Sequence, residues 1–186
     1  DLDGSRTFTA VEITTFVAPA QATDQPVVGN FSSTGAATCV DATPCQEFGV
    51  YRPSAGQFLL DLDDNGILGV GETINAGAVG GVAVVGDWNG NGITDLGTYD
   101  AAAAILRRDL NADRDLVDAG EQTTFMTPGQ ASDQPLAGNL RPGPESEFVV
   151  YRSATGEFFL DASRNGVLDA GETLFRWPAG GRAIIA

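Results

Sequence analysis

An acidic loop that begins with Asp and ends with Glu recurs four times along this chain, and its recurrence is what most constrains the fold. The clearest copy is segment 61–72, DLDDNGILGVGE, and segment 161–172, DASRNGVLDAGE, repeats it. Segment 109–121 is a third copy, one residue longer, and segment 1–12 is a fourth. Because the copies recur roughly every 50 residues, the sequence predicts a chain built from repeated units of one kind of structure.

The polar residues of these loops have the spacing of a calcium-binding loop. Such a loop offers calcium oxygen ligands from side chains at positions 1, 3, 5 and 12 and from the main-chain carbonyl at position 7. The sharp turn at position 6 is supplied by Gly66 and Gly166 in the two clearest copies. The predicted ligands are Asp61, Asp63, Asn65, Ile67 and Glu72; Asp109, Asn111, Asp113, Asp115 and Glu121; Asp161, Ser163, Asn165, Val167 and Glu172; and Asp1, Asp3, Ser5 and Glu12.

A second interpretation of these loops needs no metal. Asp and Asn side chains also form Asx turns, in which they cap tight hairpins by accepting hydrogen bonds from the main chain. The closing glutamates are not explained by turn chemistry and favour calcium. No helical pattern flanks any of the loops, so the predicted sites lie between strands and are not EF-hands.

Short apolar runs recur with the same period as the loops. QPVVGNF at 25–31 matches VAVVGDW at 82–88 and QPLAGNL at 134–140, and EFGVYR at 47–52 has counterparts at 95–100 and 147–152. Runs of this length separated by Gly, Pro, Asn and Asp indicate strands and turns. The segment from Ala101 to Leu106 is the nearest candidate for a helix, but it aligns with strand and turn elsewhere and is predicted as strand.

Four strands in each unit of about 50 residues are typical of propeller blades. We therefore predict an all-β fold, a β-propeller-like array of about 3.5 four-stranded blades with calcium loops. The whole chain, 1–186, forms one repeat domain in this prediction. It consists of a partial blade at 1–24, repeats at 25–80 and 81–132, and an incomplete repeat at 133–186.

The composition excludes several classes of function. Hydrophobic residues make up 42% of the 186 residues, enough to bury a core, and the formal charge of -15 disfavours nucleic acid and anionic membranes as partners. No apolar run approaches the roughly 20 residues that span a membrane. Because the chain has no histidine, it can form neither a Ser-His-Asp triad nor a histidine metal site. We predict a protein that is not an enzyme.

The repeated unit resembles the FG-GAP/VCBS-type repeats of bacterial secreted proteins, which are related to the calcium-bearing blades of the integrin alpha propeller. The resemblance is clearest at 26–31, 48–72, 82–99 and 148–172. It implies a propeller fold, a secreted or cell-surface location and a second class of calcium loop after the Gly-Asp-Trp motif. The ligands implied for that loop are Asp87, Asn89, Asn91, Ile93 through its carbonyl, and Asp95.

The corresponding loops in the other repeats depart from this pattern. The loop that begins at Asn30 carries an insertion before Glu47, and the loop that begins at Asn139 contains Arg141 and two prolines. The array is therefore expected to hold four or five ions, with the Asp61 and Asp87 loops as the best sites.

The two cysteines bear on the redox compartment of the protein, and the aromatic residues bear on its packing and its ligand contacts. Cys39 and Cys45 are six residues apart in the insertion, so they either form a local disulfide, as in an oxidising compartment, or are two reduced thiols. The tyrosines at 51, 99 and 151 recur in register and are predicted to pack between blades, as are Phe31, Trp88 and Leu140. Trp177 has no counterpart in the other repeats and is the candidate for an exposed ligand contact.

Three and a half blades do not close a propeller, which typically has four to eight. The array is thus expected to be part of a larger ring, to be completed by a second copy, or to share strands head to tail in a filament. A ligand loop at residue 1 likewise predicts a piece of a longer protein or dependence on a neighbouring chain.

The leading functional prediction is an extracellular calcium-binding β-repeat protein with a structural or adhesive role, as a surface scaffold or filament subunit that associates with itself. One alternative is a lectin-like or integrin-like propeller that binds glycan or protein. Another is an accessory repeat region of a secreted hydrolase.

Overall fold

The computed structural model describes residues 16, 19–32, 46–63 and 65–176, and within these ranges the chain is all-β. Twelve strands form three four-stranded antiparallel sheets, each a meander with its strands in chain order. Sheet 1 contains β1 (Gln25–Gly29), β2 (Glu47–Arg52), β3 (Gln57–Leu60) and β4 (Thr73–Asn75). Sheet 2 contains β5 (Val82–Ala83), β6 (Gly97–Asp100), β7 (Ile105–Arg108) and β8 (Gln122–Thr124). Sheet 3 contains β9 (Asp133–Gly138), β10 (Glu147–Arg152), β11 (Glu157–Leu160) and β12 (Thr173–Arg176).

None of the three sheets closes into a barrel within the described ranges. No helix among the described residues has the length and apolar character needed to cross a membrane.

The hairpin between the second and third strands of each sheet has the same form. Gly56 and Gly156 adopt left-handed φ values of 63° and 72° there, and Ala104 takes the same conformation at 55° without the freedom of glycine. Residues 101–104 form this turn, and β7 begins only at Ile105. The prediction of strand for the whole of 101–106 is therefore wrong for its first four residues, where the polyalanine run gave no turn signal.

Aromatic residues pair across the second and third strands of sheets 1 and 3. Tyr51 lies opposite Phe58 and Tyr151 lies opposite Phe158, with ring centroids 4.6 Å apart in both pairs. Tyr51 and Phe58 pack with Leu96 and Leu116 in a core between sheets 1 and 2.

A second core fills the space between sheets 2 and 3. Tyr99, Trp88 and Phe125 of the second repeat pack there against Phe148 and Val150 of the third. Sheet 2 thus contacts both of the others. The prediction that recurring aromatic residues pack between sheets is confirmed for Tyr51, Phe31, Tyr99 and Trp88, which belong to these two cores. Tyr151 is buried as well, but it belongs to neither core and pairs with Phe158 of its own sheet.

Leu140 departs from this pattern and is 45% exposed, although it occupies the repeat position of Trp88. Phe31 and Trp88 each pack at the junction with the following sheet, whereas the described residues include no sheet after sheet 3 for Leu140 to pack against. Its loop also contains a hydrogen bond from Nδ2 of Asn139 to the carbonyl of Gly143 at 2.8 Å.

Candidate metal sites

The Asp61 loop connects β3 to β4, and its first carboxylate organises the turn. Asp61 is fully buried and accepts hydrogen bonds from the amides of Asn65 at 3.1 Å and Gly66 at 2.9 Å. Gly66 has φ of 75°, the left-handed conformation that glycine adopts at little cost. The side-chain oxygen of Asn65 accepts in turn from the amide of Ile67 at 2.7 Å. The loop is therefore wound around carboxylate and amide oxygens.

Glu72 closes the same loop and completes an acidic group. Its carboxylate accepts from the amides of Leu62, at 2.7 Å, and Gly69. Carboxylate oxygens of Asp61, Asp63 and Glu72 lie within 4.8 Å of one another. Three carboxylates at this separation form a group that could hold a metal ion, and carboxylate and carbonyl oxygens are the ligands that calcium prefers.

The Asp109 loop repeats this arrangement between β7 and β8. Asp109 is buried and accepts from the amides of Ala112 at 2.7 Å and Arg114 at 2.9 Å. Carboxylate oxygens of Asp109, Asp113 and Glu121 again lie within 4.8 Å of one another. Arg114 stands where the Asp61 loop has Gly66, and it takes the left-handed conformation with φ of 70°.

The Asp109 loop contains a second acidic group nearer the surface. Asp113, Asp115 and Asp118 also have carboxylate oxygens within 4.8 Å of one another. Asn111, a predicted ligand, donates from its side-chain nitrogen to Asp113 at 3.0 Å and to Asp118 at 2.9 Å. Its side-chain oxygen accepts from the amide of Asp113 at 3.0 Å.

Burial raises the pKa of the carboxylates at the base of the Asp61 and Asp109 loops. Burial raises the pKa of Asp61, and the neighbouring carboxylates of Glu72 and Asp63 raise it further, against the hydrogen bonds from the main chain. Burial is also the main cause of the raised pKa of Asp109 and of Glu121. Charged carboxylates are thus unfavourable in these positions, and a cation placed among them would remove that cost.

The Asp161 loop has the same turn but different chemistry. Asp161 accepts from the amides of Asn165 at 3.0 Å and Gly166 at 2.7 Å, and Val167 donates to the side chain of Asn165 at 2.8 Å. Glu172 accepts from the amide of Ser163 at 2.8 Å. The third carboxylate of this loop, Asp169, accepts from the side chains of Ser163 at 3.3 Å and Asn165 at 2.9 Å, and it forms no acidic trio with Asp161 and Glu172.

A guanidinium lies beside Asp161. Nη1 of Arg108 is 3.8 Å from Oδ2 of Asp161, and both side chains are buried. Burial raises the pKa of Asp161 while the charge of Arg108 lowers it. Asp161 therefore faces an internal positive charge, and the predicted ligands of this loop form no acidic trio among the described residues.

The Asp87 loop joins β5 to β6, and the carboxylate of Asp87 organises its turn. Asp87 accepts from the amides of Gly90 at 2.6 Å and Gly92 at 2.8 Å. Asn89 and Asn91 direct their side-chain oxygens at main-chain amides, those of Asn91 and Ile93 respectively. The described residues include no acidic trio at this loop.

Asp95 closes this loop as a buried acid. It accepts from the amide of Trp88 at 2.9 Å, and burial raises its pKa to about 7 despite that hydrogen bond. Glu47 and Glu147, its repeat counterparts, accept from the amides of Phe31 at 2.6 Å and Leu140 at 2.7 Å. All three acids thus serve the same main-chain turn, and Glu147 is additionally paired with Arg164.

One set of residues at the acidic loops was not identified from the sequence. The amides of Leu68, Leu116 and Leu168 donate to carbonyls of the preceding unit, those of Phe16 at 3.4 Å, Ala76 at 3.0 Å and Phe125 at 2.7 Å. The signal was available, because each of these loops has Leu seven residues after its first Asp. These hydrogen bonds place each described acidic loop at a junction with the preceding part of the chain.

Several predicted sites lie outside the described residues. They are Asp1, Asp3, Ser5 and Glu12 of the first loop, the cysteines Cys39 and Cys45, and Trp177.

No protein-family model matches this sequence, and comparison with curated proteins and with solved structures found no significant similarity. The functional argument therefore depends on the chain's own residues.

Proposed function

We propose that this chain is a non-catalytic calcium-binding β-repeat protein, in which ions in the acidic loops stabilise the packing of successive sheets. The observation that carries the proposal is the recurrence of one acidic trio, Asp61 with Asp63 and Glu72, as Asp109 with Asp113 and Glu121. The middle carboxylate comes from position 3 in the first loop and from position 5 in the second, so the two trios are similar and not identical. The same carboxylates also cap the turns by accepting main-chain amides. An ion is proposed because burial and neighbouring carboxylates raise the pKa of Asp61 and of Asp109, a cost that turn formation leaves in place.

The position of the loops explains how an ion would act. In the second repeat, Leu116 of the acidic loop is buried in the core between sheets 1 and 2 and bonds to Ala76. An ion that fixes this loop therefore also fixes the junction between the two sheets. Because the ion binds the folded loop in preference to the unfolded chain, its binding free energy adds to the stability of the fold.

The wider setting is part of the same proposal. The three sheets would be blades of a propeller-like array, and the chain would be secreted or exposed at a cell surface, where calcium modules of modest affinity suffice. The resemblance to FG-GAP/VCBS-type repeats supports a structural or adhesive role.

Self-association is proposed through the face of sheet 1 that points away from sheet 2. Phe48 and Val28 are opposite each other in β2 and β1, and they are 44% and 60% exposed. The repeat counterpart of Phe48 is Phe148, which is fully buried against sheet 2. Phe16 of the preceding part of the chain already packs against Phe48, with ring centroids 5.0 Å apart, as Phe125 packs against Phe148. The part of this face that stays exposed thus has the character of an incomplete sheet junction, and we propose that strands of a second copy complete it.

Calcium binding is tested by thermal unfolding in excess calcium and in chelator, together with elemental analysis of dialysed protein. At a free calcium concentration of 100 times Kd, each bound ion contributes about 2.7 kcal/mol, so we expect a melting temperature at least 5 °C higher, by rough estimate, with calcium than with chelator. Magnesium at the same concentration should give a smaller rise, because it demands a tighter octahedral site.

The matched variants are Asp61→Asn and Asp109→Asn, with Asp100→Asn as the control because Asp100 lies in a hairpin away from the trios. Each of the first two should lose about one bound ion and the control none. Equal melting curves in calcium and chelator, with no bound metal, would contradict the proposal. Self-association is tested separately by light scattering of the wild type and Phe48→Ser, and a monomeric wild type at high concentration would exclude it.

A further inference from the structure

The Asp161 loop differs from the Asp61 and Asp109 loops in the charge that faces it. By sequence it is the second clearest copy, yet position 3 is Ser163, whose hydroxyl lies 3.4 Å from Oδ1 of Asp161 and 3.3 Å from Oδ2 of Asp169. The fully buried carboxylate of Asp161 instead has the guanidinium of Arg108 at 3.8 Å. We propose that Arg108 takes the place of a metal ion in this loop, so that the third repeat is held by a cation that the chain itself supplies.

Arg108 is built into this position. Its side chain is buried, it lies 5.8 Å from the centre of the Trp88 ring, and its Nη1 donates to the carbonyl of Arg164 at 3.3 Å. A Cβ built on Gly166 would lie 2.6 Å from Nη2 of Arg108, so the guanidinium is seated directly against the turn of the acidic loop. The same Cβ would lie 2.6 Å from Oγ1 of Thr123, so a larger residue at this turn would displace one of these two side chains.

The repeats supply an internal comparison. Arg108 ends β7, immediately before Asp109, and the residue at the same place in sheet 1 is Leu60. Leu60 lines a cavity at the junction of sheets 1 and 2 together with Asp109 and Arg114. The Asp109 loop therefore faces an apolar side chain of the preceding sheet, Leu60, at the place where the Asp161 loop faces Arg108.

The charges decide which loop suits a metal. A divalent cation bound at Asp161 would sit within a few ångströms of a guanidinium that stays protonated, and the two would repel each other strongly in a buried site. The Asp61 and Asp109 trios have no basic side chain within ion-pair distance among the described residues. The inference rests on the proposed function in assigning calcium to those two loops, and it withdraws the Asp161 loop from the predicted metal sites.

The number of bound calcium ions tests the claim that the Asp161 loop holds no metal. By equilibrium dialysis with elemental analysis, Asp61→Asn should bind about one ion fewer than the wild type, and Asp161→Asn should bind as many as the wild type. The loss of one ion in Asp161→Asn would overturn the proposal.

The claim that Arg108 stabilises the Asp161 loop is tested in chelator, so this test does not depend on any bound metal. Arg108→Leu should lower the melting temperature by about 10 °C, because it leaves a buried carboxylate without a counter-charge. The double variant Arg108→Leu with Asp161→Asn should recover part of this loss. Arg107→Leu is the control from the same strand, since Arg107 is bound only to the exposed side chain of Gln122 in the described structure.

Additive effects of the two substitutions in chelator would overturn the assignment of Arg108. If Arg108→Leu does not fold, recovery of folded protein in the double variant supports the pairing, and failure of the double variant where Asp161→Asn folds contradicts it. A wild type that binds no calcium would remove the proposed function, while the cycle in chelator would still decide the role of Arg108.

Discussion

The amide of Leu116 donates a 3.0 Å hydrogen bond to the carbonyl of Ala76, and the Leu116 side chain is buried in the core between sheets 1 and 2. One residue thus links the acidic loop of the second repeat to the sheet before it by both polar and apolar contacts. Leu168 makes the same hydrogen bond to Phe125 at 2.7 Å, so the link is a property of the repeat. The ion sites and the sheet junctions are therefore expected to respond to the same substitutions.

Substitution of Leu116 by alanine should destabilise the protein by about 2–5 kcal/mol, because it opens a cavity at a sheet junction. Leu110→Ala in the same loop is the matched control, since Leu110 is 38% exposed, and it should change stability by less than about 0.5 kcal/mol. Urea unfolding at saturating calcium measures both. Similar losses in the two variants would show that the Leu116 side chain does not join the sheets.

The all-β class and the short strands followed from features that are local in the sequence. Apolar runs bounded by turn residues define strands, and the regular period revealed repetition without any knowledge of which sheets touch. The trio of Asp61, Asp63 and Glu72 was equally accessible, because its members belong to one loop and their spacing follows calcium-ligand chemistry.

The sequence could not reveal contacts that depend on the packing of one sheet against another. Arg108 is an ordinary strand residue in the sequence, and its approach to Asp161 results from the stacking of sheet 2 on sheet 3. The same holds for Arg114, whose Nη2 donates to the carbonyl of Phe31 at 2.9 Å across the first junction. Leu140 was misplaced for a different reason, since the described residues include no further sheet that covers this position of sheet 3.

The buried tyrosines predict unequal effects from one substitution at equivalent sites. The hydroxyl of Tyr51 lies 2.7 Å from the carbonyls of Ala78 and of Gly80, to either of which it can donate. The Tyr99 hydroxyl is buried without a hydrogen-bond partner among the described residues. Tyr51→Phe should therefore cost about 1 kcal/mol, whereas Tyr99→Phe should be neutral or stabilising. Chemical denaturation of the two variants measures the difference, and equal losses would contradict it.

A recurring ion pair braces the first and third sheets. Arg152 donates from Nε and Nη2 to the carboxylate of Asp133 at 2.9 and 2.8 Å, and Arg52 binds Asp24 at the same two distances. Sheet 2 has neither residue of this pair, since Gly81 stands at the place of the aspartate and Asp100 at the place of the arginine.

Because Asp133 is fully buried and Asp24 is partly exposed, the two pairs should differ in strength. Asp133→Ala should cost about 3 kcal/mol and Asp24→Ala about 1 kcal/mol. A double-mutant cycle with Arg152→Leu isolates the buried pair. A coupling free energy near zero in that cycle would show that Asp133 acts through its hydrogen bond from the amide of Gln130 instead.

The raised pKa of Asp95 predicts how stability depends on pH in the presence of chelator. With a pKa of about 7 in the folded protein and an ordinary value when unfolded, Asp95 is protonated in the folded state and ionised in the unfolded state over the interval between them. The folded state holds more protons there, so the free energy of unfolding must fall as pH rises from 4 towards 7. From pH 5 to pH 8 the contribution of this residue is a loss of about 3 kcal/mol.

Asp95→Asn should remove that part of the pH dependence, while the raised pKa values of Asp61, Asp109 and Glu121 leave a weaker decline of the same sign. Calcium should stabilise the wild type more at pH 8 than at pH 5, because the ion competes with protons for the same carboxylates. Urea unfolding at both pH values, with and without calcium, gives all of these quantities. A wild type in chelator that is more stable at pH 8 than at pH 5 would show that the buried carboxylates are ionised at little cost, and it would remove the electrostatic reason for a cation in these loops.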